Sequence, residues 1–158
     1  MKTCLKLHLL SFLVLLCYTT LSVSGNPSAE TVARYENFIN QHVHAGMLKN
    51  RCDAEINGRK ISQPDSKECK DKNTFIKSTT NYINLVCGEA GKPDPGNARW
   101  RVSLQPFHVV NCVEKGKGKR LPNCEYKKTA NDPTVYIVIE CAEGLPVHYA
   151  KGVPHIPN

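Results

Sequence analysis

The segment Cys69-Lys70-Asp71-Lys72-Asn73-Thr74-Phe75 sets a cysteine beside a lysine and runs, through three polar residues, into strand-forming Thr74 and Phe75. Its β-branched and aromatic end predicts a short strand over 73–77, with a helix to follow over 79–86. Upstream, residues 46–68 are polar and rich in turn formers; a short helix is expected around 47–56, then a basic turn at Asn57-Gly58-Arg59-Lys60. Farther upstream Val32, Tyr35, Phe38 and Ile39 recur at intervals of three and four behind Ser28, a capping residue, and Glu30 in the first turn. That is an amphipathic helix ending near Gly46, with His42 on the same stripe one turn beyond Phe38. Downstream the pattern changes: residues 100–104, 107–113, 124–128 and 135–141 read as strands separated by Gly, Pro, Asn and Asp. In the last of these, Val135, Ile137, Ile139 and Cys141 share one face, and Tyr136, Val138 and Glu140 the other. Helices first and antiparallel strands afterwards give an α+β domain.

The start of the chain belongs to a different class of segment. Lys2 and Lys6 precede an apolar run from Leu9 to Cys17, and small residues follow around Ser22 to Gly25. This is the pattern of a signal peptide over 1–25, leaving one soluble domain over 26–158. The run is shorter than the roughly 20 apolar residues a membrane span needs, and no later stretch approaches that length. The signal takes two lysines and no acidic residue with it, so the remainder keeps a positive balance. A basic secreted domain favours polyanionic partners: nucleic acid, heparan-type sugars or anionic bacterial membranes.

Of the eight cysteines, Cys4 and Cys17 fall within the signal; Cys52, Cys69, Cys87, Cys112, Cys124 and Cys141 remain. Six in a secreted chain read as three disulfides, and spacing alone leaves 15 pairings open. No Cys-x-x-Cys or His-x-x-x-His pair of ligand spacing occurs, which argues against a zinc site. The one Asn-x-Ser sequence, Asn26-Pro27-Ser28, is closed to glycosylation by its proline.

Three segments carry candidate chemistry: Gln41-His42, then residues 69–75, then Leu145-Pro146-Val147-His148-Tyr149. With Cys-Lys-x-x-Asn-Thr-Phe complete at 69–75 and a histidine on either side of it, the chain resembles the pancreatic-type ribonuclease superfamily from about Arg34 to Lys151. Six cysteines and the short spacing from Cys141 to His148 resemble the angiogenins more than the eight-cysteine digestive enzymes. The resemblance implies N-terminal helices on a V-shaped antiparallel sheet, stapled by Cys52–Cys112, Cys69–Cys124 and Cys87–Cys141. Each bridge closes a long loop, about 4 kcal/mol apiece in the chain-entropy picture, not additive. Cys69 would then anchor Lys70, and Cys141 the strand leading to His148.

The same resemblance implies an activity: cleavage of single-stranded RNA 3′ to pyrimidines through a 2′,3′-cyclic phosphate. A 2′-hydroxyl must lose a proton and a 5′-oxygen must gain one, which suits two imidazoles titrating near neutrality. His42 would be the base and His148 the acid. Charge gathering on the non-bridging oxygens calls for a fixed cation, Lys70. Gln41 would add a neutral hydrogen bond to that phosphate; Thr74, whose hydroxyl both donates and accepts, would read the base. Asn73 and Tyr149 complete the implied substrate-binding set. The scheme needs no cofactor or metal, because the nucleophile belongs to RNA, and DNA lacks it.

Three positions depart from the family pattern. Ala150 stands where an acidic residue ordinarily orients the last catalytic histidine, Lys151 where angiogenins carry a glutamine that obstructs the pyrimidine pocket, and His44 where an aspartate is usual. His44 adds a third imidazole, expected to point away from His42 on the helix yet to perturb the pH optimum. His108 reads as a structural strand residue. Arg59-Lys60 falls where angiogenins have an arginine-rich nuclear-targeting turn, implying nuclear uptake. The Lys115-Gly116-Lys117-Gly118-Lys119-Arg120 loop extends a phosphate-binding surface. The alternative is a cationic angiogenic or antimicrobial ligand with weak residual activity, acting as a monomer on a cell-surface receptor or membrane.

Overall fold

The computed structural model describes residues 25–127 and 132–157. The expected signal segment therefore lies outside the described residues, Gly25 apart, as does Lys128 at the end of the strand expected over 124–128. In chain order the elements are α1 (Ala29–His42), a 3-10 turn (Lys49–Arg51), α2 (Cys52–Gly58), β1 (Lys72–Ile76), α3 (Thr80–Asn84) with a 3-10 turn (Leu85–Cys87), β2 (Gly91–Asp94), β3 (Asn97–Ser103), β4 (Phe107–Val113), β5 (Thr134–Ala142) and β6 (Leu145–Val153). Among the described residues no helix is long and apolar enough to cross a membrane.

The strands form one antiparallel sheet in the order β1-β4-β5-β3-β2, with β6 on β5. β4 pairs only with the start of β5, at Phe107 against Val135 and His108 against Thr134. β3 pairs farther along, from Val102 against Val138 to Trp100 against Glu140. β5 therefore serves both arms of a bent sheet, and helices pack against it, as expected for the α+β class.

The arm made by β1 and β4 is buried on both faces where Phe75 and Ile76 pair with Val110 and Val109, and there both strands are apolar. Phe75 and Val110 turn toward one core with Met47, Ile56 and Tyr126, while Ile76 and Val109 turn toward the other with Phe38, Ile83, Val86, Ile137 and Ile139. Disulfides Cys52–Cys112 and Cys87–Cys141 tie the helical half to β4 and β5, and Cys69–Cys124 joins the coil before β1 to the coil after β4.

The structure corrects several local expectations. Helix α1 is capped by Ser28, whose Oγ accepts from the Thr31 N–H at 3.2 Å, but its inner face is Thr31, Phe38 and His42, whereas Val32 is 36% exposed. It stops at His42 rather than near Gly46, because Val43 turns extended to bridge Ile76 and the His44 N–H donates to the Ile76 carbonyl at 3.1 Å. The segment 124–127 is no strand beyond a single bridge, Glu114 with Tyr126. Side chains of α2 satisfy its backbone instead: Asn57 brackets the Cys124 N–H and carbonyl at 3.0 and 2.8 Å, and Asp53 accepts from the Tyr126 N–H at 2.7 Å. Strand β2, not anticipated, contains Gly91 and Pro93 and lies at the sheet edge, where proline is tolerated.

Candidate active site

Gln41, His42, Lys70, Thr74, His148 and Tyr149 line one cleft of about 340 Å³ between α1, β1 and β6. Each arrives by a different local device. The last turn of α1 points His42 inward beneath Phe38, with ring centroids 5.4 Å apart. Lys70 sits in the coil between Cys69, held by its bridge to Cys124, and β1. Strict alternation would send His148 and Tyr149 to opposite faces of β6. Pairing slips between Glu140 and Cys141 and between Val138 and Ile139, which makes Val147 and Ala150 extra residues on β6 on either side of the pair, and both His148 and Tyr149 line the cleft.

His42 is 8% exposed and stacks on Tyr149 at 5.3 Å. Its Nδ1 lies 2.8 Å from the Thr74 carbonyl oxygen. A carbonyl only accepts, so Nδ1 carries the proton and Nε2 keeps its lone pair. Burial lowers the His42 pKa to about 4, aided by the positive charges of Lys70 and His148 and resisted by the Thr74 bond. The neutral imidazole is thus ready to take a proton.

Burial also pulls the Lys70 pKa below the ordinary lysine value. Its Nζ donates to Gln41 Oε1 at 2.7 Å, and Gln41 Nε2 donates to Asn37 Oδ1 at 2.8 Å. Asn73 does not line the cleft; it is buried, and its Nδ2 donates to the Gln41 carbonyl at 2.8 Å, tying β1 to α1. Its place is that of a support for Gln41. Thr74 Oγ1 donates to Asn111 Oδ1 at 2.8 Å. Burial raises the Tyr149 phenol to about 12, against a hydrogen bond with the Thr74 side chain.

His148 is exposed, and among the described residues its imidazole shows no side-chain hydrogen bond. Ala150, at the bulge, offers none. His44 is held elsewhere: its Nε2 is 3.3 Å from Glu55 Oε2, within an ion network completed by Arg51 and Arg59, and its ring meets Phe75 edge-on. It lies beyond the end of α1, not on the helix, and does not line the cleft. His108 bonds Thr134 Oγ1 at 3.0 Å. Sequence reasoning missed Lys72 and Asn111 of the lining. Asn111 had one legible signal, a lone amide in the apolar run of β4.

A cavity with a neutral buried imidazole, an ammonium on a neutral amide and a second, exposed imidazole can accept one proton, donate another and neutralise an anion between them. A family model described as pancreatic ribonuclease matches residues 33–150. Ribonuclease-like 3 of Danio rerio is 37% identical over 142 residues, covering 89% of this chain and 92% of that protein. Angiogenin-4 of Mus musculus is 37% identical over 78% of this chain and 81% of its own length. Among solved structures, zebrafish RNase5 superposes with a TM-score of 0.73 at 40% identity, over 80% of this chain and all of that one. Green turtle egg white ribonuclease gives 0.63 at 33% identity, over 76% and 98%.

Proposed function

The chain belongs to the pancreatic ribonuclease family, in its angiogenin-like branch, and from that premise we propose that it is a secreted endoribonuclease cutting single-stranded RNA 3′ to pyrimidines, without metal, by attack of the 2′-hydroxyl. The observation that carries this reading is the 2.8 Å contact between His42 Nδ1 and the Thr74 carbonyl, which leaves Nε2 as the free base. Nε2 takes the 2′-hydroxyl proton as the oxygen bonds to phosphorus. His148 protonates the departing 5′-oxygen as its bond to phosphorus breaks, and a cyclic phosphate remains. Water then opens that ring with the two roles exchanged. Lys70 leaves its neutral partner Gln41 for the phosphoryl oxygens, where negative charge is greater in the transition state than in bound RNA. Thr74 and its backbone N–H read the pyrimidine edge, beside Tyr149.

The first 25 residues serve as the signal and 26–158 as the ribonuclease domain, acting outside the cell as a monomer. Arg59 gives little support to nuclear uptake, since its guanidinium is spent on Glu55 and on the carbonyls of Asn40 and Val43. The cationic-ligand reading draws on exposed Lys115 and Lys117, for heparan, bacterial membrane or a receptor; Lys119 is already paired with Glu125 at 2.6 Å.

The deciding experiment compares an RNA oligonucleotide with its 2′-O-methyl twin in the presence of a chelator. Cleavage of the first alone is expected; cleavage of both sinks internal attack. If a cellular effect survives His42→Ala and His148→Ala but is lost on neutralising Lys115 and Lys117, the ligand reading replaces the enzyme.

A further inference from the structure

Strand β5 runs Thr134-Val135-Tyr136-Ile137-Val138-Ile139-Glu140-Cys141-Ala142, and Glu140 is its one charged residue. The Glu140 side chain is only 17% exposed. Withdrawing a carboxylate from water to that extent is costly unless partners offset it. Among the described residues it shows one, Arg34 of α1, whose Nη2 donates to Oε1 at 3.3 Å from a side chain that is 41% exposed. A single contact with an exposed guanidinium contributes little, so Arg34 alone is a weak reason for a charge at this place.

The register of the sheet supplies a second neighbour. Glu140 is the direct partner of His148 on β6, while Trp100 faces it on β3 from the other side. Side chains directly opposite in an antiparallel pair leave the sheet on the same face, with Cβ atoms about 4.5–5.5 Å apart. Side-chain rotation closes that span into a hydrogen bond between carboxylate and imidazole. Arg34 marks the face: it precedes Asn37 by one helical turn, and Asn37, Gln41 and His148 all border a groove of about 980 Å³ that adjoins the cleft. The arginine thus holds the carboxylate on the side of the sheet where His148 works.

No other carboxylate is in place to serve this ring. Among the described residues lining the cleft none is acidic, and Ala150 follows Tyr149 there. Glu143 is turned away, its Oε2 accepting from the Ser28 N–H before α1. Asp65, in the adjoining groove, stands on the loop before Cys69 and not on the sheet.

We propose that Glu140 is the positioning residue for the general acid, a carboxylate on β5 that stands in for the one absent at position 150. A protonated imidazole has two N–H groups. One donates to Glu140 Oε2 and fixes the ring, while Arg34 keeps Oε1; the other points at the departing 5′-oxygen. As the P–O bond breaks, its electron pair stays on that oxygen and takes up the second proton, leaving His148 neutral. Glu140 stays ionised throughout and receives no proton. The assignment rests on the reaction proposed above.

The test compares two substrates of one pyrimidine nucleoside: a dinucleoside monophosphate, whose 5′-oxygen needs a proton to leave, and the 3′-(p-nitrophenyl phosphate), whose aryl oxide leaves without one. Glu140→Gln keeps the shape of the side chain and removes its charge. It is expected to lower kcat on the dinucleotide about tenfold with KM unchanged, and to leave the aryl ester within about twofold of wild type. Equal losses on both substrates, a loss confined to KM, or no loss overturn the assignment. A wild type that cuts neither substrate counts against the reaction instead, and the ring-nitrogen NMR signals of protonated His148 then decide the contact. It stands if they move in Glu140→Gln and hold in Glu143→Gln, and falls if the two variants respond alike.

Discussion

A histidine held near pKa 4 by burial stays neutral when the unfolded chain, with an ordinary value of 6.5, has taken up its proton. Between those values the unfolded state binds more protons, so stability rises with pH; the His42 contribution is complete above about 6.5 and lost as pH falls toward 4. Its full size is about 3 kcal/mol. Denaturant titrations should show His42→Phe flattening this acid-side slope. In catalysis the same burial predicts that the acid limb of kcat/KM inflects well below 6.5, because that limb reports the base of the free enzyme. His42→Ala should lower kcat/KM by about 10²–10⁴-fold and erase the limb. Ala150→Asp tests the unsupported His148: with an acceptor restored beside its ring, kcat/KM should rise several-fold, and Ala150→Asn should do less. His42, Lys70 and His148 were legible because a motif and two flanking histidines name them together. Asn111 and the bulges around His148 were not, since a slip in strand pairing leaves no fixed mark in composition.

At the level of elements, sequence periodicity found α1, β1, β4 and β5 but misjudged where tertiary contacts override local preference. The apolar stripe of α1 was read through Val32, yet the buried side begins at Thr31 and reaches His42 by steps of seven and four. Residues 124–126 look like a strand and instead have their backbone satisfied by Asn57 and Asp53. β2 was invisible because Gly91 and Pro93 argue against strands in isolation. Gly91 is required by close approach: a Cβ there would lie 2.1 Å from the Val86 carbonyl oxygen. The Arg101 guanidinium meanwhile gathers the carbonyls of Val86, Gly88 and Gly91 around it. Gly91→Ala must move backbone on both sides of that clasp and should cost about 1–3 kcal/mol, read from the denaturation midpoint.

For the whole molecule, two cores on either face of the β1–β4 arm and three long-range bridges hold the catalytic segments in register. The fold class was legible because helical and strand-like patterns occupy separate halves of the chain. Removing either Cys69–Cys124 or Cys87–Cys141 by paired Ser substitution should cost about 2–5 kcal/mol. Their effects on activity should differ. Well below the melting temperature, loss of Cys69–Cys124 is expected to depress kcat/KM more, because it frees the residue adjoining Lys70.

That placement of a crosslink against the ammonium makes the enzyme answer to its surroundings. In the glutathione-rich interior of a cell, where such bridges are not maintained, a stray copy would lose stability and catalytic alignment together. The compartment that holds the cell's own transcripts is therefore the one in which this nuclease is least able to harm them.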